Sequence, residues 1–173
     1  ERIHRQSSRS RITANAHRIR RGEEPDLSRP PGEELSDFYF MPESEPERIV
    51  ALILDFVTRH IPRRFELDAK ADIQVLTPMH KGLTGAQNLN KTLQAALNPQ
   101  GQELTFGERR FRVGDRVMQI RNDHDKDVFN GDVGEIAAWD AEEDELRVTF
   151  DERTVPYARR ELDQLVLAYA ITV

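Results

Sequence analysis

The stretch Leu93-Gln94-Ala95-Ala96-Leu97-Asn98-Pro99-Gln100-Gly101-Gln102-Glu103-Leu104-Thr105-Phe106 changes its period partway along. Up to Leu97 the apolar residues recur at helical spacing, with Leu89, Leu93, Ala96 and Leu97 on one face. Asn98-Pro99 stops that helix, and Gly101 follows. From Glu103 onward, short apolar runs alternate with turn residues, as β-strands do. Two kinds of structure meet at residues 98–101.

Upstream of this junction the reading is helix and strand in turn. Residues 86–97 form a helix, Pro78 to Gly85 a loop, and Asp72–Thr77 a strand. Ser44-Glu45-Pro46-Glu47 has the capping-box form of a helix start. That helix should end near His60, because Pro62 disfavours helix at Ile61. Asp37–Met41 reads as a short buried strand, and 22–36, rich in Pro and Gly, as a loop. Residues 8–21 read as a helix capped by Ser7 or Ser8, with Ile12, Ala16 and Ile19 on one stripe. Alternation of this kind predicts an α/β domain with a parallel sheet.

Downstream the expected strands are Glu103–Phe106, Arg110–Val113, Arg116–Ile120, Asp132–Trp139, Glu145–Phe150 and Thr154–Tyr157. So many short strands in so few residues predict a small β-barrel. Leu165–Val173 returns to a continuous apolar run, the pattern of a buried parallel strand. The expected fold is an α/β domain with a small barrel inserted before its last strand.

Composition sets outer bounds. The 173 residues suit about one domain of the usual size. With no cysteine, disulfides, Cys-ligated zinc and Fe–S clusters are excluded. No apolar run reaches the roughly 18 residues of a membrane span, so a cytoplasmic protein with no membrane partner is expected. The chain begins at Glu1 without Met and stops after an apolar run, which reads as a piece of a longer protein.

The net charge of −6 hides an asymmetry. Residues 1–21 carry seven Arg against Glu1 alone; residues 22–60 carry ten acids against three Arg. Overall acidity argues against a protein that coats nucleic acid, but not against local phosphate binding by the first segment. The alternative for those arginines is a solvated helix face.

Several chemistries are missing. There is no G-x-x-x-x-G-K-[ST] phosphate loop, no G-x-G-x-x-G, no H-E-x-x-H and no G-x-S-x-G. The five His are scattered without metal spacing, so no metal site is assigned. Leu146–Glu152 superficially matches the strand and Asp-Glu of an ATPase metal site. It alternates polar and apolar residues, which suits a half-exposed strand instead.

Three stretches, in order, resemble the second motor domain of superfamily 1 DNA helicases of the RecD/TraA-like group, the exodeoxyribonuclease V alpha-subunit type. Ile3-His4-Arg5-Gln6-Ser7-Ser8-Arg9-Ser10-Arg11-Ile12 looks like helicase motif IV, with His4 in place of the usual aromatic. Val75-Leu76-Thr77-Pro78-Met79-His80-Lys81-Gly82 is the second, followed by Gly85, Leu89-Asn90 and Leu97-Asn98-Pro99. Arg112-Val113-Gly114-Asp115-Arg116-Val117-Met118-Gln119, then Val128-Phe129-Asn130-Gly131-Asp132-Val133-Gly134, resembles the SH3-like barrel inserted in that domain. The ending Ala168–Val173 looks like the lead-in to motif V.

The resemblance implies a RecA-like, P-loop NTPase-type domain. Its first part would span 1–100, its SH3-like insertion 101–163 and its return strand 164–173. The implied function is an ATP-dependent 5′-to-3′ DNA helicase of DNA repair and recombination. ATP and Mg²⁺ would be held mainly by a preceding RecA-like motor domain of the same chain. Recombination or repair subunits are further possible partners.

The resemblance also implies site residues. Arg5 would reach the γ-phosphate of ATP as the catalytic arginine, and Gln6 would contact nucleotide. By residue type alone, Arg5 is equally a surface arginine in a basic helix. Thr77, Pro78, Met79, Lys81, Gly82, Asn90 and Thr172 would lie on single-stranded DNA. The alternatives are a solvated loop and a buried strand threonine. Asn130-Gly131 is better explained as a hairpin turn. Phe129 and Trp139 are better explained as barrel core than as stacking platforms. Two other readings remain: a non-catalytic protein-binding module, and a single-stranded nucleic-acid binder without ATP use.

Overall fold

Helix α1 (Arg11–Arg20) is held at its start by Ser10. The extended backbone of Ser10 lets its hydroxyl accept from the Thr13 N–H at 3.1 Å. The computed structural model describes residues 10–30, 35–107 and 109–172, and the chain divides into two units between Glu43 and Ser44.

In the first unit the α1 face that packs is polar. Asn15 is buried, while Ile12 and Ile19 are exposed, so the expected apolar stripe does not form a core. Asn15 donates to the Asp26 carbonyl and accepts from the Asp26 N–H, clamping the return loop. Arg11 donates to the Ser28 carbonyl and Arg18 to that of Glu24. These two arginines therefore organise backbone rather than form a solvated face. Asp37 sits at the positive end of α1, bound by the Ser10 hydroxyl and the Arg11 N–H. The Ser10 bond holds its carboxyl below the usual range against the opposing effect of burial. Asp37–Met41 is not a strand. Ser36 makes local bonds with Phe38 and Tyr39, and Tyr39, Phe40 and Met41 are exposed. A short apolar run without a partner strand does not hold extended pairing.

The second unit opens with α2 (Pro46–Asp55), capped at Glu45 rather than Ser44. The helix does not stop at His60. A π-turn at Phe56–His60 leads into α3 (Ile61–Phe65), and Pro62 lies in the first turn of α3. The wide turn routes the Ile61 N–H to the Phe56 carbonyl, absorbing the disruption that Pro62 would cause in a regular helix. Strand β1 (Val75–Thr77) is followed by α4 (Ala86–Leu97), whose bounds match the periodicity. Leu89 and Leu93 are buried on α4, and Asn90 and Gln94 are buried beside them.

The insertion contains β2 (Glu103–Phe106), β3 (Arg109–Arg112), β4 (Arg116–Gln119), β5 (Val133–Asp140), β6 (Glu145–Phe150) and β7 (Arg153–Ala158). A 3₁₀ turn, Arg159–Gln164, leads to β8 (Leu165–Leu167), and β9 (Ala170–Thr172) follows. Strands β7-β6-β5-β4-β8 form one antiparallel sheet, and β2-β3 form a separate hairpin. Leu104 and Phe111 of the hairpin share a core with Val117, Ile136, Val148 and Leu165 of the sheet. Side chains join the two layers, but no ladder closes a barrel among the described residues. Strand β6 buries Leu146, Val148 and Phe150 in alternation, as a one-sided strand must. Trp139 packs partly buried against this core, whereas Phe129 is exposed and Val128 takes the interior position.

The last apolar run is two strands, not one. Leu165–Leu167 pairs antiparallel with β4, and Ala170–Thr172 pairs parallel with β1. The β1–β9 pair is the parallel pairing found among the described residues, short of the wider parallel sheet expected. Its core joins Val57, Leu89, Leu93, Tyr169 and Ala170.

Candidate nucleic-acid interface

Strand β1 ends at Thr77 and β9 at Thr172, and these two residues are partners in the parallel register. Ligands of open α/β sheets bind beyond such C-terminal strand ends. The connection from β1 to α4 lies there, and residues 78–83 are exposed throughout.

The loop is tied from beneath. Thr77 is buried, and its hydroxyl donates to the Thr84 carbonyl at 2.8 Å. Its side chain therefore shapes the loop rather than facing a ligand. The Ala86 N–H bonds the Met79 carbonyl, and the Gln87 N–H bonds that of His80. Asn88 donates to the Leu83 carbonyl at 2.7 Å. Gly82 adopts φ +91°, open to glycine but strained for other residues. A Cβ on Gly85 would stand 2.4 Å from the Lys81 carbonyl oxygen, so the loop closes tightly on itself.

What faces outward is chemically mixed. Lys81 offers one positive charge, and Pro78 and Met79 offer apolar surface. Thr172 is exposed at the neighbouring strand end. Asn90 lies inside instead. Its amide donates to the Ala170 carbonyl at 2.7 Å, and its oxygen accepts from the Ala170 N–H at 2.9 Å. Both polar ends are spent fixing β9, so Asn90 is a positioning residue. Arg5 and Gln6 lie outside the described residues.

A buried network holds the opposite ends of these two strands, before Val75 and Ala170, and sequence reasoning missed it. Asp115 is fully buried. Its carboxylate accepts from Gln94 at 2.5 Å and Asn98 at 2.8 Å, both from α4 or its cap. It also accepts from the Arg112 N–H at 2.6 Å and the Tyr169 hydroxyl at 3.0 Å. Burial, reinforced by the adjacent carboxylate, drives the Tyr169 phenol well above its ordinary range. Arg116 donates to the carbonyls of Lys70, Ala71 and Ile73, and burial draws its guanidinium downward. Gln74 donates to the carbonyls of Val75, Ala168 and Tyr169. Gly114-Asp115 carries an ordinary turn signal, and nothing in its local sequence marks the carboxylate as interior.

Among the described residues, no cluster of three or more His, Asp or Glu could hold a metal. No described helix is long and apolar enough to cross a membrane.

Residues 89–150 match the family described as the ATP-dependent RecD-like DNA helicase SH3 domain. Over 171 residues, 99% of this chain, there is 33% identity to the ATP-dependent RecD2 DNA helicase of Deinococcus radiodurans. The chain spans 22% of that relative's length. Among solved structures, Pif1 of Bacteroides sp in complex with ADP-AlF4 is 19% identical with a TM-score of 0.44. That superposition covers 75% of this chain and 40% of the other. A structure of two coordinating Pif1 helicases at forked double-stranded DNA is 23% identical, covers 80% and 39%, and has a TM-score of 0.42. Along its length the chain is thus similar to a RecD2 DNA helicase, and residues 89–150 match the SH3 domain of RecD-like DNA helicases.

Proposed function

We propose that the chain is part of an ATP-dependent DNA helicase moving 5′ to 3′ and supplies its second motor domain. In this reading residues 1–100 begin a RecA-like domain, 101–163 are its SH3-like insertion and 164–173 its return. The observation that carries it is the identity to a RecD2 helicase across 171 residues.

In this reading Mg²⁺ and most of the ATP contacts belong to a preceding motor domain of the same protein. ATP supplies the driving reaction there. Arg5 reaches the γ-phosphate across the cleft, where its permanently charged fork stabilises the leaving phosphoryl group. Gln6 contacts the nucleotide beside it.

Single-stranded DNA lies over residues 78–83 and Thr172. Lys81 holds a phosphate, and Met79 and Pro78 offer apolar contact without base-edge readout, as a sequence-tolerant track requires. Thr77 and Asn90 act indirectly, the first by shaping the loop and the second by fixing β9. Cleft closure moves this grip relative to the other motor domain. Cytoplasmic repair and recombination, with or without further subunits, is the setting that fits this activity.

The test uses the whole parent protein. Arg5→Ala should lower ATP turnover by a factor of about 10³–10⁵, the range for arginine fingers, with modest loss of nucleotide binding. Unchanged turnover would remove Arg5 from the cleft.

A further inference from the structure

The chain has four lysines, and the fold divides them two and two. Lys70 and Lys126 are partly buried and ion-paired, with Glu135 and Glu161. Lys81, in the loop after β1, and Lys91, on α4, are exposed, and neither pairs with an acid among the described residues. Residues 73–102, which hold them both, contain neither Asp nor Glu, although 31 of the 173 residues are acidic.

Loop and helix present one continuous surface. Gln87, exposed on the first turn of α4, holds the exposed His80 ring, its Nε2 lying 3.3 Å from His80 Nε2. Lys91 stands one turn further along, on the same helix face as Gln87. The positions that could neutralise Lys91 at helical spacing are Gln87, Asn88, Gln94 and Ala95, and none is an acid. Ala95 and Ala96 follow, exposed and too short to obstruct a ligand. The N–H groups of Ala86 and Gln87 play no part, since they already donate to the Met79 and His80 carbonyls. Side chains make this surface: those of Lys81, His80, Gln87 and Lys91.

We propose that this face binds the phosphodiester backbone of single-stranded DNA and carries the strand from the loop at residues 78–83 onto the outer side of α4. The proposal rests on the reading that the parent protein works on DNA, and it adds His80, Gln87 and Lys91 to that site. Charge complementarity selects the occupant. Two exposed ammonium groups without a protein counter-charge stand on an acid-free surface, in a chain of net charge −6. An ammonium is a compact point charge with rotatable donors, so it meets a phosphate without a fixed orientation. Gln87 and His80 add neutral hydrogen-bonding groups between the two charges. Contacts to phosphate carry no sequence information, as a sequence-tolerant track requires.

The test is fluorescence anisotropy of a labelled single-stranded oligonucleotide with the whole parent protein across a salt series. Lys91→Gln should weaken binding about tenfold at low salt and reduce the slope of log affinity against log salt by about 0.7, the value of one phosphate contact. Arg160→Gln removes an exposed cation from the insertion and should change neither. Gln87→Glu places a carboxylate beside His80 and one turn from Lys91. An acid in a first turn favours a helix, and α4 has none there. This variant should therefore melt no lower than the unaltered protein by circular dichroism, yet bind about tenfold more weakly or worse. Unchanged affinity and slope in Lys91→Gln, or an equal loss in Arg160→Gln, would overturn the α4 contact and leave the loop to be judged by Lys81→Ala. No binding by the unaltered parent would overturn the DNA reading itself, and this contact with it. Competition by polyglutamate as effective as by unlabelled oligonucleotide would overturn phosphate as the occupant in favour of an acidic peptide.

Discussion

Asp115 and Tyr169 are 54 positions apart in the chain, and the phenol donates to the carboxylate across 3.0 Å. The same carboxylate holds Gln94 and Asn98. Helix α4, the start of the insertion and the approach to β9 therefore share one buried acceptor. Removing it would take the shared acceptor from four donors, the Gln94 and Asn98 amides, the Arg112 N–H and the Tyr169 hydroxyl. Asp115→Ala should cost about 1–3 kcal/mol for each buried donor it leaves without an acceptor. Urea unfolding checks this; a loss under about 1 kcal/mol would show the network to be dispensable.

High pH should attack the same region. The Tyr157 and Tyr169 phenols are both pushed above the ordinary 10.0, burial being the main cause. A raised value in the folded state means full stability below pH 10, lost as pH rises further, because only the unfolded chain releases those protons readily. Phenolate absorbance for these two should appear together with unfolding. Tyr169→Phe should flatten the alkaline fall in stability. If both phenols ionise in the folded chain near pH 10, the inference fails.

Low pH should act through Glu161. Burial pushes its carboxyl up, but Lys126 and the Ala158 N–H, bound at 2.6 and 2.9 Å, outweigh that and hold it below 4.5. A lowered value gives stability above the ordinary pKa that is lost as pH falls through the folded one. Thermal unfolding of Glu161→Gln should show less dependence on pH below about 4.5 than the unaltered chain. Parallel curves would place the acid sensitivity elsewhere.

Gly85 tests the loop without touching a charge. The added Cβ of Gly85→Ala would meet the Lys81 carbonyl, so the loop must move. Such overpacking costs about 1–3 kcal/mol. Oligonucleotide affinity should fall while helical circular dichroism persists. Unaltered affinity would separate DNA binding from the shape of residues 78–83.

Regular periodicity was legible in the chain itself. Helix α4 and strands β2 and β6 lie where their apolar spacing puts them, because a single buried face dictates each. Irregular solutions were not. The π-turn before Pro62 replaces a helix end with a detour that leaves no pattern in the residues. Ile12 and Ile19 have helical spacing yet stay exposed, while Asn15 and two arginines fold the neighbouring loop by hydrogen bonds. At the candidate interface, the exposed Lys81 was visible as a loop residue. The inward roles of Thr77 and Asn90 depend on partners seven and 80 positions away. Distant pairing of that kind has no local signature.

Asn98, where the chain leaves α4, and Tyr169, where it returns to β9, bond the same oxygen of Asp115. The segment between them hangs from a closed neck. Its length and contents are thus insulated from the parallel pair: the entropy of closing such an excursion rises only slowly with residue number. Evolution can lengthen, trim or exchange the rest of the segment while keeping Asp115 and Arg116, and leave the strand ends beside Thr77 and Thr172 in register. An engineer could graft a different module at the same two points if it carried a buried carboxylate in the place of Asp115.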